Sequence, residues 1–292
     1  MRAMTNGSKD NSDSGGISFL WEGQETAQAE IDRVNADNLR RRQNFSIAAE
    51  YVARAYSSIP AVHGENIILN LQDVNDDIYD LARLGMSRPD REKLDSVLHR
   101  PNGLILCCGP AVSGKTTTLY ALLKEIRRPE AHIMTVEDPV EYYFEGISQI
   151  QLNRRTGMTF SDGMRSIMRH APDVIMIGEI RDAETARAAL NLGESGHLVL
   201  STMQSTTAEG AIYKLWSLMA GYPGAQLSIA TCLRGVIRTC LVPNVDRTRY
   251  VPAYEFILNR GDFAKAISTI GAHSDTASVR NLLSTNGRLA HG

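Results

Sequence analysis

From about residue 101 onward, the chain alternates short apolar segments with longer amphipathic ones. The short segments have the length of strands, and the longer ones repeat apolar residues at helical spacing. This alternation predicts an α/β fold with a mainly parallel sheet that is covered by helices on both faces. The predicted strands are residues 103–108, 132–136, 174–177, 198–202 and 251–258, and helices are predicted to follow Lys115, Thr159, Asp182 and Thr207.

The first hundred residues show a different pattern. Residues 24–53 are charged and rich in Ala, which predicts a helix, and residues 88–99 predict a shorter one. Residues 58–73 contain an apolar stretch after Gly64 that is typical of a strand. The predicted organisation is a disordered tail at 1–16, a partial N-terminal α+β domain with its linker at 17–100, a core domain at 101–260 and a helical segment at 261–292.

The composition is that of an ordinary globular protein, with 43% hydrophobic and 22% charged residues. A net charge of −2 and a pI of about 6.4 disfavour a broad basic surface for nucleic acid. No apolar run approaches the roughly 20 residues that span a bilayer, and residues 1–16 lack the apolar centre of a secretory signal. We therefore expect a cytoplasmic protein that only a partner holds at a membrane.

Four cysteines occur, and none forms a Cys-x-x-Cys pair, which argues against a zinc site. Cys107 and Cys108 lie in a predicted strand, and Cys232 and Cys240 lie in a segment predicted to be helical. We expect all four to be buried thiols in a reducing compartment.

A glycine-rich loop stands between the first core strand and the helix that follows it. The stretch GPAVSGKT fits the pattern G-x-x-x-x-G-K-[ST], with an apolar strand before it and a helix-forming run after it. In such a loop, backbone N–H groups surround phosphate oxygens, Lys115 reaches the β- and γ-phosphates, and the Thr116 hydroxyl binds Mg²⁺. The predicted ATP-binding residues are Gly109, Pro110, Ala111, Val112, Ser113, Gly114, Lys115, Thr116 and Thr117.

Carboxylates follow two other predicted strands. Glu137 and Asp138 directly follow one, and Glu179 comes shortly after another. Because ligands bind at the carboxyl ends of parallel strands, these acids are candidates for the metal and the attacking water. Thr202 and Gln204 end the next strand and are expected to face the same crevice, where Gln204 is a candidate for contact with the γ-phosphate or the water.

Four stretches together resemble the motor ATPases of type II secretion and type IV pilus systems. GPAVSGKTTTLYA resembles their Walker A motif, TVEDPVEY their Asp box, PDVIMIGEIRDAET their Walker B motif and GHLVLST the opening of their His box. The resemblance covers residues 57–258. It implies a RecA-like P-loop core, ATP hydrolysis with Mg²⁺, a homo-hexamer at the cytoplasmic face of the inner membrane, and a membrane platform protein as partner.

The resemblance also implies roles for individual residues. Glu179 would activate or position the attacking water, and Glu137 and Asp138 would support metal and water. Arg181, Arg165 and Arg169 would belong to the charged network around the site.

The sequence departs from the family pattern at several positions. Gln204 stands where the family has a His, and Ala111-Val112 stand where its loop reads Thr-Gly. Ala55 and Asn70 occupy positions where the family places arginines that reach a neighbouring subunit, and Arg54 is one residue off. Most of the family's N-terminal domain and the tetracysteine zinc module of many members have no counterpart in this sequence.

Three functions fit this sequence. An active motor ATPase is favoured by Lys115, Thr116 and Glu179. A degenerate, nucleotide-binding structural or regulatory subunit is favoured by Gln204, Ala55 and Asn70. A nucleic-acid motor on the same fold is disfavoured, because the sequence has no basic stripe interleaved with aromatic residues.

Overall fold

The structure, a computed structural model, describes residues 16–21, 51–61, 64–73, 79–152, 158–247, 250–259 and 262–268. The chain divides into two compact units. The first consists of Met1–Asp77 with Pro243–Tyr250, and the second of Ile78–Val242 with Val251–Gly292.

The first unit contains a three-stranded antiparallel sheet. Its strands are β1 (Gly16–Trp21), β2 (Tyr51–Ala61) and β3 (Gly64–Asp73), with β3 in the centre. The predicted strand in 58–73 is present as β3 and the end of β2. The predicted helix is wrong at residues 51–53, which begin β2, because pairing with β3 outweighs local helix propensity. Residues 22–50 and 1–15 lie outside the described residues, and with them the rest of that helix and the predicted disordered tail.

The second unit is built on a seven-stranded sheet in the order β10-β9-β4-β8-β7-β5-β6. The pairs β4–β8, β4–β9, β7–β8, β5–β7 and β5–β6 are parallel. The Asn259 N–H, just after β10, donates to the Arg234 carbonyl near the start of β9 at 2.9 Å, so β10 runs antiparallel. The prediction of an α/β fold with a mainly parallel sheet is confirmed. The strands are β4 (Gly103–Gly109), β5 (Ile133–Glu137), β6 (Ser148–Gln151), β7 (Val174–Ile177), β8 (Leu198–Gln204), β9 (Leu233–Pro243) and β10 (Tyr250–Leu258).

The predicted helix starts are also confirmed, and three of them have capping side chains. Thr159, Asp182 and Thr207 each accept a hydrogen bond from a backbone N–H three residues later, which satisfies an otherwise free donor of the first turn. The helices are α1 (Arg88–Leu98), α2 (Lys115–Ile126), α3 (Phe160–Ile167), α4 (Ala183–Glu194), α5 (Ala208–Leu218), α6 (Ala225–Cys232) and α7 (Asp262–Ser268). Of the predicted C-terminal helical segment, α7 is the part that the structure describes.

Strand β4 holds the two apolar layers of the second unit together. Leu104 and Leu106 point into one layer and Ile105 and Cys107 into the other, all with no exposed surface. Each such aliphatic side chain contributes on the order of 1.5–3 kcal/mol when it is removed from water. The end of β4, and the loop that follows it, therefore have a rigid base.

In the second unit, two strands and one cysteine differ from expectation. Strands β6 and β9 were not predicted. Cys240 lies in β9 and not in a helix, since α6 ends at Cys232 and the β-branched residues that follow pair with β4. It is half-buried, whereas the other three cysteines are buried as expected. Burial raises the pKa of the Cys108 and Cys232 thiols to about 12, which fits unreactive core cysteines. None of the described helices combines the length and the apolar character needed to cross a membrane.

Candidate nucleotide-binding site

Four parallel strands bring the predicted site residues to one edge of the sheet. Strands β4, β8, β7 and β5 are consecutive neighbours, so their carboxyl ends lie side by side. The loop after β4, Gln204 at the end of β8, Glu179 just after β7 and Glu137 at the end of β5 therefore meet along this edge. Gly109 and Gln204 are direct partners in the β4–β8 register.

The structure requires glycine at two positions of the loop, Gly109 and Gly114. A Cβ at Gly109 would collide with the Ser113 hydroxyl and lie 2.5 Å from the Thr239 carbonyl oxygen, so a larger residue does not fit. Gly114 has a left-handed conformation, with φ of 85°, at the N-cap of α2. It has no side chain to cap the first turn, so N–H groups at the start of this 12-residue helix remain available for an anion.

Val112 is the unusual residue of the loop. Its φ is 55°, a conformation that glycine adopts readily and a β-branched residue adopts at a cost, and its side chain is 68% exposed. The resemblance places a glycine at this position. The backbone at this position therefore has a conformation that suits the glycine of the family pattern, although the residue is a valine. We infer local strain at Val112.

Lys115 and Thr116 lie at the start of α2, where the sequence places them. The half-buried Lys115 ammonium donates to the Pro110 carbonyl at 2.5 Å, so it lies against the loop itself. Partial burial lowers the pKa of Lys115, and the nearby Glu179 carboxylate acts in the opposite direction. Lys115 and Glu179 are therefore close enough for their charges to interact.

Glu179 is held by its backbone and by its side chain. The flanking N–H groups of Gly178 and Ile180 donate to the carbonyls of Val136 and Thr202, both at 2.9 Å. The Thr202 hydroxyl donates to the Gly178 carbonyl at 2.7 Å. These contacts fix the segment between β5 and β8.

The side chain of Glu179 pairs with Arg181. The Arg181 guanidinium donates to one carboxylate oxygen from Nε at 2.7 Å and from a terminal nitrogen at 2.6 Å. The other two arginines of the expected network lie on α3 or just after it. Arg165 pairs with Asp162 at 2.6 Å, and Arg169 donates to Ser166 at 3.5 Å.

Glu137 is the last residue of β5, one residue beyond the predicted end of the strand, and its carboxylate is buried, with 2% of the residue exposed. It accepts hydrogen bonds from the Tyr120 hydroxyl, from the Thr135 hydroxyl at 2.5 Å and from the Gln149 amide at 3.1 Å. Burial raises the pKa of Glu137, and these three donors counteract the rise. Asp138, the next residue, is half-buried.

Glu141 is a site residue that the sequence reasoning missed. It is half-buried, and burial together with the charge of Glu137 raises its pKa to about 7, while the charge of Lys115 lowers it. The structure thus places this carboxylate, four residues after Glu137 in the same motif, within electrostatic reach of Lys115. The sequence feature that could have identified Glu141 is its position within the stretch TVEDPVEY.

Gln204 lies beside the start of the loop with its side chain exposed. Its backbone carbonyl accepts a hydrogen bond from Lys214 at 3.2 Å. The exposed amide is therefore free to turn towards a molecule bound at the sheet edge.

A family model described as "Type II/IV secretion system protein" matches residues 38–280. The chain belongs to this family. The recognition from four motifs is confirmed, and so is the P-loop α/β fold that it implied.

Curated relatives support the family assignment. Type II secretion system protein E of Pectobacterium carotovorum subsp. carotovorum is 47% identical over 64% of this chain and 36% of its own length. Type II secretion system ATPase E of Vibrio cholerae is 45% identical over 60% of this chain and 35% of its own length. The matched part thus spans a little over a third of these relatives.

Solved structures show the same fold. The pilus retraction motor PilT with bound ADP matches with a TM-score of 0.65 and 24% identity, over 94% of this chain and 84% of that one. The ATPase DotB of Legionella pneumophila matches with a TM-score of 0.66 and 24% identity, over 80% of this chain and 66% of that one.

The first unit contains the two positions at which the resemblance implies arginines. Ala55 and Asn70, the two positions concerned, are direct partners in the β2–β3 register. The register shifts between Ala53 and Ala55, so Arg54 is an extra residue in β2.

We predict that Val112→Gly stabilises the protein. Relief of a left-handed conformation gains roughly 1–2 kcal/mol, and the greater freedom of glycine in the unfolded chain offsets about 0.5–1 kcal/mol of it. The expected net gain is about 0.5–1 kcal/mol in urea unfolding. Ala111→Gly is the matched control, since Ala111 has no positive φ, and it should lower stability by about 0.4–1 kcal/mol. Equal effects of the two changes would contradict strain at Val112.

We further predict a pH-dependent difference between the wild type and Glu141→Gln. The pKa of Glu141 rises from 4.5 to about 7 on folding, so between these values the folded protein keeps a proton that the unfolded chain loses. Stability from this group is therefore full below pH 4.5 and is lost as the pH rises through about 7. Urea midpoints measured across this range should fall more steeply for the wild type than for Glu141→Gln. Parallel pH profiles would show that Glu141 is not desolvated.

Proposed function

We propose that this chain binds ATP at the loop 109–117 and hydrolyses it, as a motor subunit of a type II secretion or type IV pilus machine. The observation that carries the proposal is the meeting of four strand ends: the glycine loop, Gln204, Glu179 and Glu137 lie along one edge of the sheet. An anion-binding helix start thus has carboxylates and an amide on adjacent strands.

The loop supplies the binding of the phosphates. N–H groups at the start of α2 face an anion without competition from a capping side chain, and the helix dipole adds positive potential. Lys115 supplies a point charge for the β- and γ-phosphates. Because Lys115 begins the helix, the charge and the N–H groups act on the same ligand.

Thr116 fits a role in holding Mg²⁺. Its hydroxyl is a hard oxygen donor at the first turn of α2, and Mg²⁺ is commonly bound through one or two protein oxygens plus phosphate oxygens. Among the described residues, no cluster of three or more His, Cys, Asp or Glu side chains is arranged to hold a metal. The ion would accordingly arrive with ATP, and when bound it neutralises charge on the phosphates.

Glu179 is the carboxylate best placed to act on the attacking water. It interacts with the charge of Lys115, and its backbone is fixed from both neighbouring strands. Glu137 and Asp138 support the site from the next strand, with Glu137 as a buried, hydrogen-bonded charge. Gln204 has no titratable group, but its amide offers two donors and an acceptor with which to orient water or the γ-phosphate.

The name of a relative supports the proposed setting in a secretion machine. A matching protein bears the name Type II secretion system ATPase E. We propose that the chain acts as a homo-hexamer on the cytoplasmic side of the inner membrane, with a membrane platform protein as its partner and without nucleic acid.

A second candidate is a nucleotide-binding subunit with little ATPase activity. Gln204 in place of a His, and Ala55 and Asn70 in place of arginines, favour it. The two candidates differ in whether Glu179 acts in a chemical step.

The test is Mg²⁺-dependent ATP hydrolysis by the wild type, Glu179→Gln and Glu184→Gln. Glu179→Gln should bind ATP with wild-type affinity and lose at least about 100-fold in kcat, because the amide keeps the shape but cannot accept a proton. Glu184→Gln, an exposed carboxylate in the first turn of α4, should keep the wild-type rate. A wild type without activity would favour the second candidate, and an unchanged rate in Glu179→Gln would remove Glu179 from the reaction.

A further inference from the structure

Tyr120 lies on α2, five residues after Lys115, and has no exposed surface. Its ring packs edge-on against Tyr79 and Phe144, with centroid distances of 5.5 and 5.4 Å. Tyr142 completes the cluster at 6.5 Å. Contacts on several sides hold the ring of Tyr120 in one orientation, which also determines the position of its hydroxyl.

The Tyr120 hydroxyl makes three hydrogen bonds. It donates to the Glu137 carboxylate, and it accepts from the backbone N–H groups of Glu141 at 3.1 Å and Tyr142 at 3.4 Å. A phenol has one proton to donate and lone pairs for two donors, so all of its capacity is used. One oxygen atom thus joins the helix of the phosphate loop to the end of β5 and to the segment after it.

Gln149 on β6 closes the same network from the other side. Its amide nitrogen donates to Glu137 at 3.1 Å and to the Tyr142 carbonyl at 2.8 Å, and its oxygen accepts from the Phe144 N–H at 2.8 Å. The Thr135 hydroxyl adds a further donor to Glu137 at 2.5 Å. Of the three side chains that donate to Glu137, Tyr120 is the one that lies on α2.

We propose that Tyr120 is a positioning residue for the ATPase reaction: it fixes the segment carrying Glu137 and Glu141 to the helix that carries Lys115 and Thr116. The inference rests on the proposed function and adds a residue that has no exposed surface and acts through Glu137 and Glu141. Loss of the hydroxyl leaves Glu137 with two donors and leaves two backbone N–H groups without an acceptor. The carboxylates then lose a fixed distance to Lys115, while the phosphate loop keeps its own shape.

The experiment compares Tyr120→Phe with Tyr142→Phe in the full chain. Both changes remove one phenolic hydroxyl from the same ring cluster, and the described contacts of Glu137 include none from the Tyr142 side chain. Tyr120→Phe should lower kcat by about 10-fold or more, with KM for ATP within about 2-fold of the wild type, as expected when a preorganised contact is lost. Tyr142→Phe should keep both constants. Circular dichroism and the unfolding midpoint of each variant are measured alongside.

The kinetics of the wild type and the variants distinguish failure of the inference from failure of the proposed function. An active wild type together with an unchanged kcat in Tyr120→Phe would overturn the inference and leave the proposed function standing. Equal losses in both variants, or a rise in KM together with a lower unfolding midpoint, would show a merely structural role and overturn it as well. A wild type no faster than Lys115→Ala would contradict the proposed function and the inference with it.

A second variant covers the case in which Tyr120→Phe does not fold. Thr135→Val removes another hydroxyl from Glu137 and keeps the size of the side chain. A fall in kcat at constant KM in this variant would support the need for an oriented Glu137. A wild-type kcat would overturn the part of the inference that runs through Glu137.

Discussion

The parallel pairing of β4, β8, β7 and β5 is the constraint on which the rest of the structure depends. Their burial on both faces leaves one register in which the apolar side chains fill the two layers, as Leu106 and Cys107 do from opposite sides of β4. Parallel strands need crossover connections. After each strand end at the site, the chain therefore returns to the opposite end of the sheet before the next strand begins. The result is a row of polar ends above an apolar base.

The charged side chains of the site are buried to different extents. Lys115 and Glu141 are half-buried, the Glu179 side chain is 14% exposed and paired with Arg181, and Glu137 is buried under three donors. A buried carboxylate persists when hydrogen bonds replace its water, and Glu137 meets this condition. Its charge in turn contributes to the raised pKa of Glu141. The site is thus one electrostatic network, in which the most buried carboxylate accepts three hydrogen bonds.

The local features of the site followed from the sequence, and those that depend on distant residues did not. The strand, glycine loop and helix around Lys115 are contiguous, so pattern and residue type were sufficient. The burial of Glu137 depends on Tyr120, 17 residues earlier, and Gln149, 12 residues later, which no local pattern joins. Strand β9 was missed because its mixed sequence lacks a clear period, and pairing with β4 decides its conformation. The helix expected at residues 51–53 failed for the same reason, since β3 pairs with them.

The central claim is that the loop after β4 binds the phosphates of ATP through Lys115, and calorimetric titration with ATP and Mg²⁺ tests it most directly. The wild type should bind, and Lys115→Ala should bind about 10- to 100-fold more weakly, because a charge-assisted hydrogen bond contributes about 1.5–3 kcal/mol. Lys124→Ala, in the last turn of the same helix, should bind like the wild type. Equal affinity of the wild type and Lys115→Ala would contradict the account.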